Sequence, residues 1–299
     1  MAVFWQEGAD DSMMALPRLT PGRGPLTLLG QIGAVTRSEM LMQWRRWGFW
    51  LAFGGAAVLL VLLTLQAALY FTHLPPESLY VREHYTTADL TNLLIYGTTI
   101  YGVMFFGLVA ALLVVDRLGR EQRLGIAEIQ QAAPQNSVCY TLGKFLGNYL
   151  AQLVPVLLSY LLCALLSVLL GWSAVLFQKF FLAFALVYLP SSLAAVGLTF
   201  FLTSLLPVRV VQVGFALLWL FFNIGPGWHR LVYTIFNPNG LYVYPIFFPV
   251  PPMPYTEPGF TTSMSLALLN IAVLGLTGLG MLALTCASVV FRRQRQERA

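Results

Sequence analysis

Six long apolar stretches of this chain hold no Asp, Glu, Lys or Arg: Gly48–Pro76, Leu90–Val115, Phe145–Gln178, Phe180–Val208, Val210–His229 and Pro258–Phe291. Each supplies the roughly 20 residues that cross a hydrocarbon layer of about 30 Å as an α-helix. A backbone inside lipid must pair its own N–H and C=O groups, and a helix does so within one segment. The chain is therefore expected to be an all-α membrane protein with six transmembrane helices. Its composition agrees: with 58% hydrophobic and only 10% charged residues, it has too few charges to coat a soluble domain of 299 residues.

The placement of the basic residues gives an orientation. Arg18, Arg23, Arg37, Arg45 and Arg46 precede the first stretch, and Arg117, Arg120, Arg123 and Lys144 lie between the second and third. Arg209 separates the fourth and fifth, while Arg292, Arg293, Arg295 and Arg298 follow the last. Those 14 of the 17 basic residues fall on one side, leaving Arg82, Lys179 and Arg230 for the other. Positive charge stays on the cytoplasmic side, so both termini are expected there, in a multi-pass protein of the cell inner (plasma) membrane. The first apolar window opens only at Gly48, so the first span rather than a cleaved signal is expected to direct insertion. Cys139, Cys163 and Cys286 are odd in number and scattered, which fits reduced packing residues better than a disulfide or a metal site.

Along the chain, residues 1–25 mix Gly, Pro and both charge signs and read as a mobile cytoplasmic tail. Residues 26–47 read as an amphipathic interfacial helix, with Leu29, Ile32, Met40, Trp44 and Trp47 on one arc and Arg37, Ser38 and Arg45 opposite. Glu39 and Gln43 interrupt the apolar arc. Trp44, Arg45, Arg46 and Trp47 are the expected interfacial anchors, because indoles settle at headgroup level while guanidiniums meet anionic lipid phosphates. Residues 48–291 form the six-span domain, with Gly54, Gly55, Ala56 and Ala57 offering a small-residue face on the first span. Pro155 and Pro190 are expected to kink the third and fourth spans. The fifth span is the shortest, ending before Gly225, Pro226 and Gly227. The aromatic and proline-rich segment 225–264 is expected to be re-entrant, dipping into the outer leaflet before the last span. Residues 292–299 form a basic cytoplasmic tail.

The segment 116–144 carries the most specific local pattern. Asp116, Glu121, Gly125, Glu128, Pro134 and then Gly143-Lys144 predict a helix that continues past the membrane, breaks at Gly125, restarts and stops before Pro134. The run Glu121-Gln-Arg-Leu-Gly125-Ile-Ala-Glu128, with Pro134 and the Gly143-Lys144 pair after it, resembles the cytoplasmic loop of type-2 ATP-binding-cassette (ABC) exporter permeases. Ile126-Ala127 stands where Thr-Leu is common in that family. The resemblance extends from the interfacial helix to the re-entrant segment. It implies that this loop is a coupling helix docking on a cytoplasmic ABC ATPase subunit, with Glu121 and Glu128 as polar contacts and Gly125, Ile126, Ile129 and Pro134 shaping the docking ridge. It also implies a second permease copy, in a homo- or heterodimer, with ATP and magnesium held on the partner ATPase. Export of a hydrophobic or amphipathic substrate is the expected function, and the alternative is a non-ABC polytopic carrier, a membrane scaffold or a maturation factor with no ATPase partner.

Other chemistry finds little support. A phosphate-binding loop needs Gly, four residues, then Gly-Lys-Ser/Thr, but Val138 and Phe145 occupy the first and last of those positions around Gly143-Lys144. The chain is thus expected to be no enzyme, holding no cofactor of its own. None of His73, His84 and His229 lies mid-span, and neither H-E-x-x-H nor G-x-S-x-G occurs. Ion-coupled carriers keep an ionisable residue within the membrane, and the six apolar stretches have none. Asn148, Gln152, Ser191, Ser192 and Asn270 are the candidate pathway-lining residues, although most such polar groups serve as interhelical hydrogen bonds.

Overall fold

The computed structural model describes residues 28–73, 85–123, 136–223, 234–249 and 262–298, with side chains undescribed at 119–123, 292–293 and 295–298. These residues form helices and connections, with no strand among them. In chain order the elements are α1 (Leu28–Trp44), α2 (Trp47–Thr72), α3 (Thr87–Arg123), α4 (Ser137–Leu169), α5 (Val175–Ala183), a π-helical turn (Phe184–Tyr188), α6 (Leu189–Leu205), α7 (Val208–Asn223), α8 (Tyr244–Phe247) and α9 (Met264–Arg298).

Five of these helical runs are long and apolar enough to cross a membrane: Trp47–Thr72, Thr87–Leu118, Ser137–Leu169, Val175–Leu205 and Met264–Phe291. Helix α7 has 16 residues and is shorter than the other five. Helix α3, at 37 residues, is about 55 Å long and outruns a hydrocarbon core of about 30 Å. Its last turns reach Arg123, while Gly125, Ile126, Glu128, Ile129 and Pro134 lie outside the described residues. Helix α4 begins at Ser137, capped by the Asn136 side chain, which accepts from the backbone N–H groups of Val138 and Cys139. Gly143-Lys144 therefore sits inside a helix, not at its entry, and Lys144, the only charged residue of that helix, is buried.

The outward surface is apolar. On α4 the exposed residues Leu146, Leu150, Val154, Leu158, Leu162, Leu165 and Leu169 recur every three or four positions, while Asn148, Gln152 and Ser159 face inward. In lipid an outward leucine costs nothing, whereas a polar side chain needs a partner inside the bundle.

Two prolines shape the spans. Pro155 lies inside α4. Pro190 is the second residue after the π-helical turn, at whose end the Leu189 N–H reaches back five residues to the Phe184 carbonyl. The missing proline N–H is absorbed by widening one turn, so α5, the π-turn and α6 form one continuous span.

Glycines set the closest crossings. A Cβ at Gly197 on α6 would come within 2.6 Å of the Gly278 carbonyl on α9, and one at Gly278 within 2.5 Å of the Leu193 carbonyl. Backbones touch there, as small residues permit between membrane helices. Gly54 and Gly55 of α2, by contrast, face open space.

Candidate functional site

Glu39, Gln43, Lys144 and Asn148, four of the charged and amide side chains buried among the described residues, gather where α1 meets α3 and α4. Helix α1 lies along the first turns of α4 in matched register. A Cβ on Gly143 would meet Val35 Cβ at 2.7 Å and the Ile32 carbonyl at 2.9 Å; one on Gly147 would meet Glu39 Cβ and the Thr36 carbonyl, each at 2.6 Å. Farther along, the Trp44 indole N–H donates to the Ala151 carbonyl at 3.1 Å. The i, i+4 spacing of Gly143, Gly147 and Ala151 makes a shallow track into which α1 fits.

In this register Ile32, Met40 and Trp44 of the apolar arc are partly buried and Arg37, Ser38 and Arg45 are exposed, while the two ends of the arc are left uncovered. Leu29 is 80% and Trp47 79% exposed, whereas Glu39 and Gln43 are 2% and 3% exposed. The two polar residues that interrupt the apolar arc are the most deeply buried ones of α1. Against lipid the apolar residues need no cover, whereas the polar pair needs partners inside the bundle.

The buried pair starts a connected network. Arg117 of α3 pairs with the Glu39 carboxylate at 3.4 Å. Arg46, between α1 and α2, pairs with Asp116 of α3 at 3.1 Å and also donates to the Gln43 Oε1 at 3.5 Å. The Gln43 amide donates to Asn148 Oδ1, and Asn148 Nδ2 donates to the Lys144 carbonyl at 2.7 Å. Lys144 itself lies 4% exposed, with its ammonium 5.3 Å from the Tyr140 ring centroid and 3.4 Å from the Tyr140 hydroxyl. Three helices and a connector are thus tied together by side chains that are buried at Glu39, Gln43, Lys144 and Asn148 and partly buried at Arg46, Asp116 and Arg117.

Of the anchor residues, Trp44 and Arg46 are engaged inside this junction, while Arg45 and Trp47 are exposed at its edge. Glu121 falls in the last turn of α3 with its side chain undescribed. Glu39, Gln43, Arg117 and Lys144 are the residues that sequence reasoning did not single out. The signal available was the four-residue spacing of Glu39 and Gln43 on an apolar helix.

The candidate pathway residues do not form one group. Asn148 belongs to the junction just described. Gln152, one turn along α4, is 2% exposed and neither atom of its amide finds a partner among the described residues. Ser191 and Asn270 bond to the segment 234–249, and Ser192 to α4 and its own helix. Ser191 donates to the Pro238 carbonyl at 2.6 Å, and Asn270 donates to the carbonyls of Ile235 and Asn237 at 2.7 and 3.1 Å. Ser192 lies between the Leu189 carbonyl at 3.1 Å and the Tyr149 hydroxyl at 3.5 Å.

Those bonds hold the segment 234–249 inside the protein. Asn92 of α3 donates to the Pro249 carbonyl at 2.7 Å, and Lys179 of α5 donates to Asn92 in turn. Gly240, at φ +70°, turns the chain where a Cβ would strike Val187 at 2.6 Å. Burial holds the Tyr244 phenol well above its ordinary range and raises Tyr242 as well, so both are neutral hydroxyls. Irregular backbone is tolerated at such a place because neighbouring side chains pair its carbonyls.

All three cysteines are free, and no group of three or more His, Cys, Asp or Glu occurs among the described residues. No protein-family model matches the chain, and no curated protein matches it either. The chain is a helical protein with the character of a multi-pass membrane protein.

Proposed function

We propose that the chain is the membrane-spanning permease subunit of an ATP-driven type-2 ABC exporter, with α7 as its sixth span and segment 225–264 re-entrant on the outer side. The observation that carries this reading is the junction in which Arg117–Glu39 and Arg46–Asp116 tie α3 to α1 and its connector, and Gln43–Asn148 ties α1 to α4. In this reading the residues after α3, from Gly125 to Pro134, dock on a cytoplasmic ATPase subunit. A force applied there would pass through α3 into α1 and α4 as one unit, because the partly buried ion pairs and the glycine track leave little slack. Two permease copies would form the pathway, and closure of the ATPase dimer would bias it between inward- and outward-open arrangements. ATP and magnesium would be held by the partner.

The motif Glu121-Gln-Arg-Leu-Gly125-Ile-Ala-Glu128 supports this assignment by resemblance, and the apolar bundle suits a hydrophobic or amphipathic cargo. The test is Glu128→Arg in the full chain. Transport should be lost and ATP hydrolysis uncoupled while insertion and expression stay normal. Unimpaired transport would refute the assignment.

A further inference from the structure

Helix α1 packs on the bundle along one side only. Val35, Thr36, Glu39, Gln43 and Trp44 meet the glycine track and the charged network. The opposite side carries Arg37, Ser38, Leu41, Met42 and Arg45, all exposed. Arg37, Leu41 and Arg45 stand four residues apart, so they form one stripe that rises about 12 Å along the helix.

This stripe runs into the outward apolar surface of the bundle. Past the connector at Arg46, α2 opens with Trp47 and goes on with Trp50 and Leu51, all three exposed. The Trp50 indole N–H donates to the Trp44 carbonyl at 2.7 Å, whereas Trp47 makes no side-chain hydrogen bond among the described residues. Arg45 thus sits where the exposed apolar face of α2 begins.

The protein does not balance the charge of these arginines. Among the described carboxylates, Glu39 pairs with Arg117 and Asp116 with Arg46, while Asp89 lies in the first turn of α3. Arg37 and Arg45 make no ion pair and no side-chain hydrogen bond among the described residues. Guanidiniums interleaved with exposed Leu, Met and Trp suit the boundary of an anionic bilayer. There apolar side chains enter the acyl edge, indoles sit at headgroup level and guanidiniums bond phosphates as planar forks.

We propose that the outward face of α1, built from Arg37 and Arg45 with Leu41, Met42 and Trp47, is a docking surface for anionic phospholipid headgroups. Trp44 and Arg46, expected at the lipid from the sequence, are engaged inside the junction. The contact therefore falls to Arg45 and to Arg37, which lies outside the expected anchors. The proposal is independent of the ABC reading, since it uses only this face and the start of α2.

The test places a photo-crosslinking residue at Leu41 of the full chain, reconstituted in vesicles of equal phosphatidylglycerol and phosphatidylcholine. Mass spectrometry of the adducts reads which lipid covers the face. Phosphatidylglycerol adducts should dominate, and Arg37→Gln or Arg45→Gln should each lower their ratio to phosphatidylcholine adducts about fivefold, with a further fall in the double variant. Arg37→Lys should keep most of the preference, because the charge remains. Neither arginine bonds the protein, so these substitutions should leave Tm unchanged. The same crosslinker at Val58, exposed on α2, should show little preference in any background. A ratio at Leu41 that equals that at Val58, or that survives the double substitution, would overturn the proposal. A protein adduct in place of the lipid adduct in native membranes would overturn it too, assigning the face to a protein partner.

Discussion

The indole N–H of Trp44 donates at 3.1 Å to the carbonyl of Ala151, the carbonyl that would have accepted the helix hydrogen bond from position 155 had that residue not been Pro155. A proline inside a membrane helix frees the oxygen four residues before it, and lipid offers no replacement donor. Here the replacement comes from α1. Helix α1 is thereby bound at the point where α4 is weakest.

Trp44→Phe should therefore leave the Ala151 oxygen buried and unpaired, lowering stability by about 1–3 kcal/mol. Pro155→Ala supplies the missing N–H to that oxygen, so the Trp44 substitution should cost distinctly less in that background. Thermal unfolding of the two single variants and the double variant checks this. Equal losses in both backgrounds would break the link.

Gly147→Ala should loosen α1, because the new Cβ would sit 2.6 Å from both Glu39 Cβ and the Thr36 carbonyl. Overpacking of this kind costs about 1–3 kcal/mol. The matching change at Gly54, which meets nothing within 4 Å, should be neutral or slightly stabilising through helix propensity. Limited proteolysis ahead of α1, compared between the two variants, reads the difference.

Glu39→Leu should be among the most damaging single changes, since it removes the buried carboxylate that faces both Arg117 and Lys144. Breaking a buried pair costs about 3 kcal/mol or more. Glu39→Arg combined with Arg117→Glu should recover part of that loss, measured as the yield of monodisperse protein and its Tm. A double variant as poor as the worse single one would mean that the pair contributes nothing specific.

How far the sequence foretold this arrangement depends on the element. Charge-free stretches located the five long spans to within a few residues at most ends, because lipid admits no other backbone solution. The start of α4 was misplaced by eight residues, at Phe145 instead of Ser137, because Lys144 looked like a membrane boundary while the fold buries it beside Tyr140. The facing of α1 was legible in part: Met40 and Trp44 of its apolar arc pack on the core and Arg37, Ser38 and Arg45 are exposed, but Glu39 and Gln43, which interrupt that arc, are its most deeply buried residues. The π-turn has no sequence signature beyond Pro190. The proposed docking residues Gly125, Ile126, Glu128, Ile129 and Pro134 remain outside the described residues.

Asn270→Ala should free segment 234–249 at one end, because one amide serves the carbonyls of both Ile235 and Asn237. Backbone amides of that segment should then exchange with solvent deuterium at least tenfold faster, while those of α2 stay unchanged. Exchange that does not respond would show that Ser191 and Asn92 hold the segment without it.

The most direct test of the functional account is affinity purification of the tagged chain from its native membrane in mild detergent, with mass spectrometry and an ATPase assay on what is recovered. The account predicts a separate ABC ATPase subunit in the complex, with hydrolysis activity, and loss of that subunit or of its coupling with Glu128→Arg. Recovery of the chain alone, without ATPase activity, under conditions that preserve other membrane complexes would contradict it.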